Sequence, residues 1–182
     1  MKEVELIKLL NSKDGVAIYP TDTIYGIIGS ALSKKAVSKI YEIKGRDENK
    51  PFIILISKIE DLELFGIKIS IDQKKYLENV WPGKVSVILP CKSAKFQYLH
   101  RGTKSLAFRL PKKKSLQTLL EKTGPLVAPS ANPQGLDPAK TIKEARQYFE
   151  DTIYMYVAGG KLEGKASTVV SLLEGEPKIL RK

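Results

Sequence analysis

Residues 44–50, "KGRDENK", bring Lys44, Arg46 and Lys50 onto one short stretch, with Gly45 freeing the backbone between the first two. Clustered cations suit a polyphosphate, because a guanidinium forks phosphate oxygens while an ammonium acts as a point charge. The same charges suit a solvated loop that closes a helix C-terminus against its dipole. A second cluster, "YPTDTIYG" (19–26), presents Thr21, Asp22, Thr23 and Tyr25 just beyond an apolar run. Open α/β sheets hold ligands beyond the C-terminal ends of strands, and Thr and Asp equally build tight turns. "APSANPQG" (128–135) repeats the pattern with Ser130 and Asn132, neutral groups able to orient a substrate or a nucleobase. No G-x-S-x-G surrounds Ser130, and the sole histidine, His100, sits in "QYLHRG", which reads as loop. Acyl-enzyme chemistry therefore has little support. Arg109, ending "LAFR", and Arg181, ending "KILR", suit forking a carboxylate or making surface ion pairs.

"GGKLEGKAST" (159–168) reads G-x-x-x-x-G-K from Gly159, as a phosphate-binding P-loop does. The next position is Ala166, with no hydroxyl for magnesium. "STVVSLL" then follows, which is β-branched and reads as strand where a P-loop needs a helix. A glycine-rich connection between strands is the better reading.

These clusters need elements to hold them. Helical spacing covers 2–11, and "VAIYP" reads as a buried strand stopped by Pro20. Ser33 caps a helix running to Ile43, and "FIILI" (52–56) is the clearest strand. Ser57-x-x-Glu60 and Thr141-x-x-Glu144 read as capping boxes. Helices are expected near 71–79 and 114–122, and strands near 85–89, 105–109, 126–128, 153–157, 168–172 and 178–181. Interleaved strands and helices define an α/β chain, and the strand-rich end argues for a mixed sheet.

At 182 residues the chain fits one core, so a single domain over 1–182 is expected. Hydrophobic residues are 42% and charged residues 28%, which excludes wholesale disorder. Thirty-one Lys and Arg against twenty Asp and Glu give a net charge of +11. That favours polyanionic partners, RNA included, or else marks a lysine-rich solvated surface. One cysteine, Cys91, and one histidine rule out an internal disulfide and leave a Cys/His zinc site short of ligands, so no metal ligands are expected. No apolar run spans a bilayer and the start lacks a signal peptide, which places the chain in the cytoplasm.

The order and spacing of P-T-D-T-x-Y-G, K-x-R, W-P-G (81–83), R-x-P (109–111), S-A-N (130–132), G-G…S-T (159–168) and a closing I-L-R resemble the YrdC family. The likeness runs from Tyr19 to Arg181. Bacterial single-domain members of that family are threonylcarbamoyl-AMP synthases. The resemblance implies an open twisted mixed sheet with flanking helices and a basic concave face. It implies an enzyme that joins L-threonine, bicarbonate and ATP, with Mg2+ accompanying ATP, into threonylcarbamoyl-AMP and pyrophosphate. A downstream transferase complex then passes the group to tRNA. By the same resemblance, Lys44, Arg46, Ser130 and Asn132 are the catalytic set. ATP contacts are Arg46, Lys50, Ser130, Asn132, Lys140 and Arg181; threonine contacts are Thr23, Arg109, Ser130 and Ser167.

The chain departs from the family pattern at several places that bear on the amino-acid pocket. Ile27-Ile28 and Ser30 stand where Leu-Gly and an acid are usual, and Leu55 where some relatives carry His. Asp47 replaces a usual Pro, and the closing I-L-R lacks the common Gly. Two other readings stay open: a basic RNA-binding module without chemistry, and a relative that makes carbamoyl-AMP from carbamoyl phosphate.

Overall fold

A computed structural model describes residues 2–47 and 49–182. The described strands form one nine-stranded mixed sheet. β1 (Val16–Pro20) and β2 (Tyr25–Ser30) form an antiparallel hairpin, Val16 facing Gly29 and Pro20 facing Tyr25. β6 (Leu126–Val127) joins β2 to β3 (Ile53–Leu55). β5 (Ser105–Arg109) lies parallel to β3, and β4 (Val85–Pro90) antiparallel to β5. β8 (Thr168–Ser171) and β9 (Lys178–Arg181) complete that edge, and β7 (Met155–Tyr156) flanks β1 on the other.

Both faces of the hairpin half are covered, so its strands are buried at every position but the terminal Ser30 and are not alternately polar. Strand periodicity sorts neighbouring residues to opposite sides. Val16, Ile18, Ile27, Ile54 and Val127 pack with Val37, Ile40 and Tyr41 of α2 (Lys34–Lys44). Ala17, Tyr19, Ile28, Leu55 and Leu126 pack with α1 (Lys2–Leu10) and α5 (Lys114–Thr123) through Leu6, Leu10, Leu116, Leu119 and Leu120. Farther along the sheet, Ile53, Ala107, Ile88 and Val169 remain open as the floor of a cleft.

Local signals explain the element ends. Ser33 Oγ accepts from the Ala36 N–H, and Gly45 at φ 56° ends α2 in the left-handed conformation. Thr141 caps α6 (Ile142–Phe149), its Oγ1 accepting from Glu144 N–H, but the Glu144 carboxylate accepts from Lys140 N–H, one residue before the cap, so the expected box is only half formed. α3 (Ile71–Val80) follows a Ser70–Gln73 box.

Three expectations are corrected. The box at 57–60 is built by Asp61, not Glu60: Asp61 Oδ2 accepts from Ser57 N–H, Ser57 Oγ and Lys58 N–H. The helix it opens is the 3-10 turn Ile59–Phe65. "QYLH" is not loop but the short helix α4 (Gln97–His100), stopped by Arg101 at φ 49°. The run after Tyr25, to which no element was assigned, is the strand β2, so "PTDTIYG" contains a hairpin turn.

Candidate functional site

The open half of the sheet floors a cleft of about 510 Å³. Chain stretches far apart in sequence supply its walls: Thr21 and Thr23, Arg46, Ser105 and Arg109, Ser130, Ser167 and Arg181.

The hairpin turn forms the first wall. Thr21 Oγ1 donates to Ile24 C=O at 2.6 Å and accepts from Thr23 N–H at 3.1 Å, a Ser/Thr turn that leaves both hydroxyls buried. Thr23 Oγ1 then accepts from Arg109 Nη1 at 3.2 Å. Arg109 is only 4% exposed, and its Nη2 lies 3.0 Å from Asp22 Oδ1. That contact is an ion pair without hydrogen-bond alignment, for both Asp22 oxygens and Arg109 Nε lack a hydrogen-bond partner. Burial lowers the Arg109 pKa, the Asp22 charge raises it, and Arg181 lowers it again. Lys113, from the N-terminal end of α5, donates to Pro20 C=O at 2.7 Å and so fastens the turn from outside the cleft.

The 128–134 loop is stitched to β2 and to the end of α2. Ile27 N–H donates to Pro129 C=O at 2.9 Å, Ala131 N–H to Tyr25 C=O at 2.8 Å, and Gln134 N–H to Lys44 C=O at 2.8 Å. A Cβ on Gly26 would stand 3.2 Å from Pro129 C=O, so glycine allows this approach. Lys44 is 2% exposed, and its Nζ donates to Ser130 C=O and Asn132 C=O at 2.5 Å each. Burial, with the Arg46 charge adding to it, pushes its pKa down to about 7.

Arg46 leaves α2 through Gly45, lies 5.5 Å from the Phe52 ring centroid, and reaches the cleft. Burial lowers its pKa most; Tyr41 and Asp47 raise it, and Arg181 lowers it. Arg181 donates to Ser167 C=O through Nη2 at 2.8 Å and Nε at 3.2 Å, while Ser167 Oγ pairs with Ser86 Oγ at 2.8 Å. Arg46 and Arg109 both feel the Arg181 charge, so the guanidiniums repel one another across a space suited to anions.

Of the residues singled out from sequence, Thr23, Arg46, Arg109, Ser130, Ser167 and Arg181 line the cleft. Lys44 and Asn132 stand behind its wall. Asn132 Oδ1 faces Lys44 Nζ at 3.3 Å, and its Nδ2 donates to Pro133 C=O and Leu136 C=O. Lys50 and Lys140 are exposed and do not line the cleft; Lys50 C=O accepts from Arg46 Nε, and Lys140 C=O from Leu162 N–H. Ile28 and Leu55 are buried beneath α1 and α5, so these departures from the family pattern fall in the core. Lys113 and Ser86 were not anticipated, since nothing local in "PKKKS" or "KVSVI" separates a latch from a surface or strand residue.

A nonlocal anion-attracting cleft on the uncovered face of a mixed α/β sheet defines a class of small-molecule or nucleotide-handling proteins. A family model described as Sua5/YciO/YrdC, telomere recombination, matches residues 10–182, and the chain belongs to that family. It is 34% identical over 176 residues to a threonylcarbamoyl-AMP synthase of Bacillus subtilis, covering 95% of this chain and 51% of the relative. It is 32% identical over 165 residues to the Pyrococcus abyssi threonylcarbamoyl-AMP synthase, covering 90% and 48% respectively. A crystal structure of P. abyssi Sua5 complexed with L-threonine superposes with a TM-score of 0.91 at 30% identity, over 99% of this chain and 53% of that one. The chain thus spans about half the length of these relatives. Among the described residues no helix is long and apolar enough to cross a membrane.

Proposed function

We propose that the chain forms threonylcarbamoyl-AMP and pyrophosphate from L-threonine, bicarbonate and ATP, in the cytoplasm, in support of tRNA modification. The observation that carries this reading is the convergence of Arg46, Arg109 and Arg181 on one cleft beside Thr23, Ser130 and Ser167. One guanidinium suits an amino-acid carboxylate and the other two a triphosphate. The names of the relatives support the same reaction.

In this reading Arg109 and Thr23 hold the threonine carboxylate and side chain, with Ser167 opposite. Bicarbonate takes up a proton and loses water to give CO2, and the threonine amine adds to that CO2, forming a C–N bond and losing a proton to give a carbamate. A carbamate oxygen attacks the α-phosphorus, and the bond to the β-phosphate oxygen breaks as pyrophosphate leaves. Arg46 and Arg181, with the exposed Lys50 and Lys140, neutralise the triphosphate, and Ser130 orients the reacting centre. Lys44 and Asn132 act by holding the Ser130 loop. Catalysis is then positioning and electrostatics, which requires no histidine. Among the described residues no group of three or more His, Cys, Asp or Glu side chains is disposed to hold a metal ion. Magnesium would accompany the nucleotide and supply charge neutralisation on its phosphates. The product passes to a transferase complex acting on tRNA, and the +11 charge supports RNA contact.

The test is incubation with ATP and bicarbonate plus threonine, serine or carbamoyl phosphate, reading pyrophosphate and the adenylate. Threonine-dependent release of both, lost in Arg46→Ala, is expected. Product from carbamoyl phosphate alone makes the chain a carbamoyl-AMP-forming relative. RNA binding with no product from any substrate makes it a binding module.

A further inference from the structure

The glycine-rich stretch that mimics a P-loop has a different use. Residues 158–166 run from β7 to β8 without regular structure, largely exposed, and pass over the Thr21–Thr23 turn. Tyr25, fully buried, grips the start of this stretch. Its hydroxyl donates to Gly160 C=O at 2.8 Å and accepts from Gly159 N–H at 2.8 Å. A Cβ on Gly159 would lie 2.4 Å from Pro20 Cβ, and one on Gly164 would lie 2.1 Å from Thr23 C=O. Both glycines therefore seat backbone directly on backbone or on the proline ring. Leu162 N–H donates to Lys140 C=O at 2.8 Å, and the stretch then delivers Ala166 and Ser167 into the cleft. Thr23 is held between two layers: Arg109 from within and the Gly164 peptide from without.

We propose that residues 158–166 form a strap that sets the amino-acid subsite, with Tyr25 and Gly164 as its positioning residues. The inference rests on the reading of Thr23 and Arg109 as amino-acid contacts. The strap is fastened by few bonds and is solvated on its outer side, the profile of a segment that opens locally without global unfolding. Closure aligns Thr23 with Ser167 across the bound amino acid; opening releases it. The Tyr25 hydroxyl and Gly164 lie on the Thr21–Thr23 side of the strap, while the Arg181 guanidinium bonds to Ser167 C=O beyond its end, so defects at Tyr25 and Gly164 should act chiefly on the amino acid.

Lys161 and Lys165 are exposed on the strap and give a readout independent of catalysis. Tryptic nicking at these two sites, assigned by mass spectrometry, is compared among the wild type, Tyr25→Phe, Gly164→Ala and Val127→Ala. The last is a core truncation in β6 that lowers stability away from the strap. Removing the Tyr25 hydroxyl deletes two hydrogen bonds, so Tyr25→Phe should nick roughly tenfold faster with substrates absent. It should also raise the KM for threonine about tenfold and leave the KM for ATP within about twofold. Gly164→Ala should exceed both effects. Nicking of Tyr25→Phe at the wild-type rate overturns the proposal. So does equal acceleration in Val127→Ala of matched stability, or an equal rise in both KM values. If the wild type forms no product from threonine, the functional reading falls and the nicking rates alone decide whether the strap is fastened as described.

Discussion

Lys44 Nζ sits 2.5 Å from the main-chain oxygen of Asn132 and 3.3 Å from its side-chain Oδ1, and it also holds Ser130 C=O. A buried ammonium thus ties the end of α2 to the loop that presents Ser130. One side chain couples the basic loop at Arg46 to the far wall of the cleft.

Lys44→Met should destabilise the fold by about 1–3 kcal/mol, since it takes the Lys44 donor from Asn132 C=O, whereas Ser130 C=O keeps the Asn132 N–H at 3.0 Å. Urea denaturation at pH 7 measures the loss. Asn132→Ala leaves both main-chain bonds of Lys44 in place but also loses the Nδ2 bonds to Pro133 C=O and Leu136 C=O, so it should destabilise the loop as well. A neutral Lys44→Met would mean the Asn132 carbonyl finds another donor.

Stability should depend on pH through the same group. The Lys44 pKa is about 7 in the folded chain against an ordinary 10.5. Between those values the unfolded chain binds more protons, so Lys44 contributes rising stability as pH increases from 7 toward 10.5; below pH 7 its penalty is fully present. The contribution is at most about 1.4 kcal/mol per pH unit in that window. The difference between wild-type and Lys44→Gln unfolding free energies, followed from pH 6.5 to 9.5, isolates it from other titrating groups. A pH-independent difference contradicts the shift.

Arg109 is the amino-acid anchor in this account. Arg109→Lys should raise the KM for threonine by about 10- to 100-fold, as a fork of donors becomes a point charge. Steady-state kinetics with saturating ATP measures it. Asp22→Asn should act on stability as well, because the buried guanidinium loses its counter-charge at a cost of about 3–5 kcal/mol. An Arg109→Lys enzyme with unchanged threonine KM would move the carboxylate elsewhere.

Arg181 holds Ser167 C=O through two nitrogens and lines the same cleft as Arg46. Arg181→Ala should raise the KM for ATP about tenfold or more, with a smaller rise for threonine through the released Ser167. Equilibrium binding of a non-hydrolysable ATP analogue checks the first effect. Unchanged analogue affinity would remove Arg181 from the nucleotide side.

Much of the scaffold was legible in the sequence because its cues are local. Ser33, Thr141 and Gly45 mark helix ends by chemistry confined to a few residues, and the strand at 105–109 coincides with β5. β2 was missed because "YGIIGS" carries two glycines, which weaken a strand signal. Those glycines serve close approaches: a Cβ on Gly29 would stand 3.1 Å from Ile40 Cδ1. Six residues singled out by the motif order, Thr23, Arg46, Arg109, Ser130, Ser167 and Arg181, line the cleft. That order did not separate side chains that face the cleft, such as Arg46, from one that braces it, such as Lys44. That difference depends on where distant carbonyls lie. The Asp22–Arg109 pair and the Lys113 latch join elements far apart in the chain, and no local pattern encodes them.

The account is tested most directly by supplying 13C-bicarbonate with ATP and L-threonine and reading the product by mass spectrometry. It predicts threonylcarbamoyl-AMP carrying one 13C, formed with equimolar pyrophosphate and lost in Arg46→Ala. Pyrophosphate release without threonine, or an adenylate that carries no label, would contradict it.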